Sequence, residues 1–315
     1  MATALAPVLI SAYAASPAHT DWDPALEHEL LDALCALPGV AGLEVPWLNA
    51  LHPHDTEWFL THVPAGARLA LTALPWAMQQ CARTSGYGIA SGDEDGRRAA
   101  LDDLRALAAG IHRLHGESPA HVDIVPLHTA PQGTGCAAAL ARSLDELTGW
   151  DWQGARLVIE HCDAVVPGQA FEKGFLSIGD ELAAIDAVGA SVGVWVNWGR
   201  SAIELRDADA VTAQIAQASA SGLLTGLTFS GASPADTTYG AAWEDRHLPV
   251  AAADPSAQSL LDDAHIAAAL REAAGADWLG IKVSRAPADR TAAQVAATVA
   301  ANLSAVRRVA ERTDA

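Results

Sequence analysis

Basic residues and long apolar runs are both scarce in this sequence. Its 315 residues include 19 Lys and Arg against 38 Asp and Glu, a formal charge of −19 at pH 7. A surface this acidic repels the phosphates of nucleic acids and the headgroups of anionic membranes, so we expect neither as a partner. No stretch approaches the roughly 20 consecutive apolar residues that a membrane-spanning helix needs.

Cysteine pairs at metal-binding or redox spacing are also missing. The sequence contains no C-x-x-C pair among its cysteines, which are Cys35, Cys81, Cys136 and Cys162. Disulfide frameworks are typical of small secreted domains, whereas thiols stay reduced in the cytoplasm. We therefore expect a reduced, cytoplasmic protein.

What the sequence does contain is a regular alternation of short apolar strands and amphipathic helices, which predicts parallel strands with helical crossovers. The predicted strands are residues 7–13, 40–46, 67–74, 121–127, 155–160, 191–197, 223–229 and 278–284. The predicted helices are residues 24–37, 55–63, 96–115, 135–147, 178–188, 207–220, 258–273 and 291–311. This pattern predicts a single α/β domain over 1–315, a closed (β/α)8 TIM barrel. No G-x-G-x-x-G follows the first strand, which argues against an open dinucleotide-binding sheet.

Polar and aromatic side chains follow the predicted strands, and in barrels of this class the active site lies at the carboxyl ends of the strands. The polar candidates are Glu44, His128, Glu160, Asn197, Arg200, Ser230 and Lys282. The tryptophans near strand ends are Trp47, Trp76 and Trp198. Indole rings can stack on sugar rings, although tryptophan more often packs in a core. The convergence of these side chains predicts a binding site at the rim.

The stretch RLVIEHCDA, residues 156–164, places reactive side chains at the end of the fifth strand. Successive side chains of a strand point to opposite faces, so Glu160 facing the barrel interior would turn His161 toward the helical layer. Asp163 could return to the rim or cap a turn. A metal site made of Glu160, His161 and Asp163 would need a bulge at the strand end, and it stays a minor alternative.

Three stretches resemble segments of the xylose-isomerase-like barrels, the sugar and sugar-phosphate isomerases and epimerases. GIASGDEDGRRAALDDLRALAAGIHRLHG, residues 88–116, resembles the segment after their third strand. LVIEHCDA is similar to their fifth strand, and VWVNWGRSAIE is similar to their sixth. The resemblance implies a divergent branch of this family, in which Glu160 takes the position of a glutamate that binds the catalytic divalent metal.

The remaining metal positions depart from the family pattern. The resemblance places Asn197 where the family has aspartate, Phe229 where it has histidine and Lys282 where it has glutamate. A divalent ion needs several anionic or imidazole ligands, which these residues do not supply. We therefore expect no cofactor, with Mn or Mg disfavoured, and expect Lys282 to neutralise Glu160 where the metal would have done so.

These residues predict an isomerase- or epimerase-like enzyme that transfers a proton on a carbohydrate, a sugar acid or a sugar phosphate. The predicted catalytic residues are Glu160, Lys282 and His128. Glu160 would be the acid or base, and Lys282 would tune the pKa of Glu160 or stabilise the oxyanion, while His128, Glu44 and Arg200 would position hydroxyls or an acidic group of the substrate. Two alternatives stay open. Lys282 could form a Schiff base in a lyase or aldolase, or the chain could be a carbohydrate-binding barrel without catalysis.

Residues 231–257 form a long connection after the seventh strand. Connections of this length in compact domains are usually functional lids or disordered. We expect a lid that brings Trp243 or His247 to the pocket. Barrels of this type commonly pair through helical faces, so a homodimer is one possible assembly, although the sequence does not fix the oligomeric state.

Overall fold

The computed structural model describes residues 6–189 and 191–313. Its strands are β1 (Val8–Ser11), β2 (Val40–Pro46), β3 (Arg68–Thr72), β4 (His121–Leu127), β5 (Arg156–His161), β6 (Gly193–Asn197), β7 (Leu224–Phe229) and β8 (Trp278–Ile281). They follow one another in chain order around a closed barrel. With helices between the strands, this is the (β/α)8 barrel that the alternation predicts, and the predicted fold class is confirmed.

The helices of the described chain connect successive strands. They are α1 (Ala12–Ala15), α2 (Pro24–Cys35), α3 (Thr56–His62), α4 (Leu74–Arg83), α5 (Glu94–Glu117), α6 (Ala137–Thr148), α7 (Ile178–Val188), α8 (Trp198–Leu205), α9 (Ala208–Ala220), α10 (Asp263–Glu272) and α11 (Ala292–Thr313). Short 3-10 turns cover Pro17–His19 and Pro255–Ala257. Among the described residues, no helix is long and apolar enough to cross a membrane.

Capping side chains define where most of these helices begin. Asp23 accepts hydrogen bonds from Ala25 N and Leu26 N at the start of α2, and Pro24 supplies a fixed φ at the first helical position. The same use of an acidic, hydroxyl or amide side chain recurs at Asp55, Asp93, Ser177, Asn197, Asp207 and Asp262. Each of these helices therefore starts at a polar side chain that accepts hydrogen bonds from backbone N–H groups of the first turn.

Backbone proximity groups the chain into two compact units. The first unit comprises the described parts of Met1–Glu44 and Val196–Ala315, and the second unit is Val45–Trp195. In the first unit, β7, β8, β1 and the start of β2 pair in parallel, with Leu9 opposite Gly280 and Ser11 opposite Glu44. In the second unit, β3, β4 and β5 pair in parallel, with Leu127 opposite Ile159.

Several predicted boundaries differ from the structure. The first strand ends at Ser11 rather than at residue 13, because α1 begins at Ala12. Helices α4 and α8 were absent from the predicted set, and each begins directly at a strand end. The predicted helix 258–273 begins only at Asp263, after a cap by Asp262.

Candidate functional site

His128 and Glu160 form a buried pair in the second unit. Leu127 is paired with Ile159 in register, so His128 and Glu160 are the next residues along β4 and β5. His128 Nε2 lies 2.9 Å from Glu160 Oε2, and the two side chains are 1% and 5% exposed. An imidazole and a carboxylate at this distance can exchange a proton and orient each other. The structure thus brings together two of the residues predicted to be catalytic.

The neighbours of this pair turn outward and meet a glutamate of α7. His161 Nδ1 lies 2.8 Å from Glu181 Oε2, and Thr129 Oγ1 donates a 2.8 Å hydrogen bond to Glu181 Oε1. All three side chains are fully buried. His161 therefore faces the helical layer, as strand alternation predicts.

Asp163 organises the loop that follows β5. Its Oδ2 accepts hydrogen bonds from the backbone N–H groups of Glu172 and Lys173 at 2.7 and 2.9 Å, with a longer contact to Gly174 N. Cys162 packs in an apolar cluster with Leu74, Ala130 and Phe175. Because His161 and Asp163 hold separate structural partners, their contacts do not favour a metal set built from Glu160, His161 and Asp163.

Lys282 and Glu44 form a second buried pair, which lies in the first unit. Lys282 Nζ donates to Glu44 Oε1 at 2.8 Å and lies 5.1 Å from the centre of the Tyr13 ring. Glu44 is opposite Ser11 in register, and Ser11 Oγ is buried with no hydrogen-bond partner among the described residues. This cluster presents an ammonium, a carboxylate and a hydroxyl at the carboxyl ends of β8, β2 and β1.

Arg200 belongs to a separate cluster of the first unit. Its Nε donates to Asp245 Oδ2 at 3.1 Å, and Asp245 Oδ1 lies 3.2 Å from His247 Nδ1. Ser230 Oγ lies 3.1 Å from the same His247 nitrogen. In a Ser-His-Asp relay the two partners bond opposite ring nitrogens, so this cluster is not such a relay. Asp245 balances the charge that Arg200 would otherwise offer to an anionic substrate.

The connection 231–257 folds back on the first unit through backbone hydrogen bonds. Trp243 N donates to Ser233 O and Ser284 N donates to His247 O, both at 2.8 Å. Trp243 and His247 have φ values of +62° and +50°. Left-handed backbone at residues other than glycine costs energy and is frequent at ligand clamps and switch regions. The predicted lid remains a prediction, because a single conformation does not test opening.

The tryptophans predicted to stack on a sugar have different surroundings. Trp198 is fully buried and Trp47 is 4% exposed. Trp76, on α4, donates its Nε1–H to Asp103 Oδ2 at 2.7 Å. The Arg206 guanidinium lies 4.6 Å from the centre of the half-buried Trp243 ring. In these conformations, Trp76 and Trp243 expose more of their side chains than Trp47 and Trp198.

At three positions that the resemblance aligns with metal ligands, the side chains do not provide the donor set that a divalent ion needs. Asn197 Oδ1 accepts from Arg200 N as the cap of α8, Phe229 is a buried phenyl ring, and Lys282 carries a positive charge. Divalent metals require oxygen, imidazole or thiolate donors with enough negative charge. We therefore derive no chemical step through a metal.

Two comparisons concern sequence. The family model described as "Domain of unknown function (DUF4862)" matches residues 9–297. A protein of Salmonella typhimurium strain LT2, "Uncharacterized protein STM3670", is 36% identical over 263 residues, which are 82% of each chain. Both matches extend over most of this chain, and the family model includes the carboxyl ends of all eight strands.

Solved structures share the fold at much lower identity. A D-psicose 3-epimerase from Clostridium cellulolyticum H10, solved with D-tagatose, has a TM-score of 0.60 and 13% identity over 97% of this chain and 99% of that chain. An L-ribulose 3-epimerase has a TM-score of 0.58 and 17% identity over 99% of both chains. A xylose isomerase domain protein from Alicyclobacillus acidocaldarius has a TM-score of 0.55 and 18% identity over 98% of this chain and 100% of that chain. The chain belongs to the DUF4862 family and has the fold of the xylose-isomerase-like sugar isomerases and epimerases.

Proposed function

We propose that this protein is a sugar isomerase or epimerase that moves a proton on a carbon next to a carbonyl group. The observation that carries the proposal is the buried His128–Glu160 pair, with Nε2 and Oε2 2.9 Å apart at the carboxyl ends of β4 and β5. A carboxylate oriented by an imidazole at this end of a barrel has the composition of a general acid–base pair.

In the proposed reaction, Glu160 takes the proton from the carbon beside the carbonyl, that proton exchanges with solvent, and a solvent-derived proton is then delivered to the enediol. Delivery to the opposite face of the same carbon, by an acid on that face or after the enediol turns in the site, gives an epimer. Delivery to the neighbouring carbon, with a hydroxyl proton moved from one oxygen to the other, gives an isomer. His128 orients the Glu160 carboxylate and can hold a proton between the two half-reactions. No atom is gained or lost, so the reaction requires no oxidant or reductant.

The proposed substrate class is a small ketose or aldose. Support comes from the names of the structural neighbours, which include D-psicose and L-ribulose 3-epimerases, and from the polar side chains at the strand ends. Below 25% identity these likenesses concern the fold, so the substrate rests on the proposal alone. We further propose that Glu160 and His128 act without a divalent metal, since three metal positions of the family carry unsuitable donors.

Deuterium incorporation tests the proton transfer directly. The protein is incubated in D2O with D-psicose, D-tagatose or L-ribulose, the sugars are separated, and their masses are measured by mass spectrometry. We expect one carbon-bound deuterium in the product and loss of both turnover and exchange in Glu160→Gln. The matched control is Glu117→Gln, which removes a surface carboxylate paired with Arg113 and should leave both unchanged.

Several results would count against the proposal. Full activity of Glu160→Gln would remove Glu160 from the chemistry, and turnover without deuterium incorporation would exclude exchange with solvent as the route. Sugar binding by calorimetry without turnover would instead favour a carbohydrate-binding barrel. A stoichiometric divalent metal, found by elemental analysis of protein purified without chelator and required for turnover, would contradict the metal-free part alone.

A further inference from the structure

We infer that Glu181 is the positioning residue of the His128–Glu160 pair, an inference that rests on the proposed function. Glu181 lies in the first turn of α7, and its carboxylate contacts the residues that directly follow the two members of the pair. Its Oε1 accepts from Thr129 Oγ1 and its Oε2 lies 2.8 Å from His161 Nδ1. Thr129 directly follows His128, and His161 directly follows Glu160.

The register of β4 and β5 explains this symmetry. The paired residues Leu127 and Ile159 are followed by His128 and Glu160, which meet on one face. One residue further, alternation turns the side chains of Thr129 and His161 to the opposite face, where both meet Glu181. One carboxylate on the outer face therefore spans the same two strands as the pair on the inner face.

Burial makes this connection stiff. Glu181, Thr129 and His161 are fully buried, so breaking either hydrogen bond leaves a polar atom without water to replace the partner. An ionised carboxylate accepts and does not donate, which fixes the proton of His161 on Nδ1. Thr129 Oγ1 also accepts from Leu176 N at 3.2 Å, which ties the segment preceding α7 to the end of β4. A shift of β4 along β5 would therefore disturb the contacts of Thr129 and of His161 with Glu181 at the same time.

The expected effect of this arrangement is on the alignment of the acid–base pair. Misplacement of catalytic groups by about 1 Å can reduce a rate roughly 100-fold. If Glu181 sets the distance between His128 Nε2 and Glu160 Oε2, its loss should lower kcat and leave KM nearly unchanged, because Glu181 itself contacts no substrate. A role confined to stability would lower the melting temperature without altering kcat of the folded protein.

The test compares Glu181→Ala, Glu181→Gln and Thr129→Val. The alanine variant loses both bonds, and we expect kcat to fall about tenfold to 100-fold. Glutamine can accept from Thr129 and donate to His161 in its other tautomer, so Glu181→Gln should recover most of kcat. Thr129→Val removes the bond to Glu181 and the bond from Leu176 N with little change in shape, keeps the bond between Glu181 and His161, and should give an intermediate loss. The control is Thr148→Val, which removes a hydroxyl bonded to Leu144 O within α6 and should change nothing in kcat.

A second readout does not depend on turnover. In protein with isotope-labelled histidine, the ring signals of His128, assigned by comparison with His128→Gln, are followed across a pH series by NMR. We expect the midpoint of the His128 titration to move in Glu181→Ala and Thr129→Val and to return close to wild type in Glu181→Gln. If no sugar is turned over, the proposed function fails while this measurement still decides the positioning.

Two outcomes would overturn the inference. One is a folded Glu181→Ala or Thr129→Val protein with a wild-type kcat and a wild-type His128 titration. The other is a Glu181→Gln protein as impaired as Glu181→Ala, since that result would assign the effect to the charge of Glu181 rather than to its two hydrogen bonds. Should Glu181→Ala fail to fold, Thr129→Val carries the decision.

Discussion

Replacing Lys282 by methionine should destabilise the protein strongly, because it leaves the Glu44 carboxylate without its ammonium partner. Lys282 Nζ lies 2.8 Å from Glu44 Oε1, and the two side chains are 1% and 12% exposed. At an effective dielectric constant of about 20, the attraction over this distance is about 6 kcal/mol before the cost of desolvation. Breaking a buried pair by removing one partner typically costs about 3–5 kcal/mol. That loss is a large fraction of the roughly 5–15 kcal/mol that separates folded from unfolded proteins.

The assay is the free energy of unfolding from guanidinium denaturation, measured for wild type, Lys282→Met, Glu44→Gln and the double variant. The double variant removes both charges, so it should recover about 2 kcal/mol or more relative to Lys282→Met. A loss below about 1 kcal/mol in Lys282→Met, or a double variant no more stable than the single one, would refute the buried-pair reasoning. Near-ultraviolet circular dichroism establishes that the variants compared are folded.

Two further predictions concern stability in the second unit. The pKa of His115 is lowered by burial and by the positive charge of His121, so the unfolded chain binds a proton at higher pH than the folded one. The free energy of unfolding should therefore fall as the pH drops below about 6.5, and it should fall less in His115→Gln. Denaturation of both proteins at pH 7.5 and 5.5 measures this difference. An equal loss of unfolding free energy between the two pH values in wild type and variant would contradict the prediction. Gly96→Ala would place a Cβ 1.9 Å from Gly86 O and should destabilise α5 by about 1–3 kcal/mol. Gly116 lies in the same helix, and a Cβ added there would have no atom within 4 Å, so Gly116→Ala should stabilise the helix by up to about 1 kcal/mol. Thermal melts in which Gly96→Ala is the more stable of the two variants would refute the steric argument.

The barrel could be predicted because each strand and most helices carry local signals. Strand β5 is a short apolar run, and helix α2 begins with Asp23 as cap and Pro24 at its first position. Helix α4 lacks such a signal, since Ala73 provides no capping side chain and only Pro75 marks the first turn. Helix α8 was missed for another reason, because Asn197 ends β6 and caps α8 at once.

Individual site residues were predictable, but their partners were not. His128 and Glu160 each follow from a strand end, whereas their pairing depends on the register of β4 with β5, which no local pattern encodes. Arg200 and Asp245 are 45 positions apart, and nothing in either stretch indicates the other. Glu181 could have been recognised as a candidate from the sequence pattern of α7. A glutamate on the buried side of α7, close to Ile178, Ala184 and Ile185, indicates a buried hydrogen-bond donor nearby.

The side chains at Asn197, Phe229 and Lys282 also bear on which substitutions this chain would tolerate. Asn197 caps α8, Phe229 fills the core without exposed surface, and Lys282 is paired with Glu44. Each position has a structural task, so exchanging any one of them for a metal ligand costs stability before it offers a coordination bond. A metal site built at these strand ends would therefore have to come with replacements for the helix cap, the core ring and the ion pair.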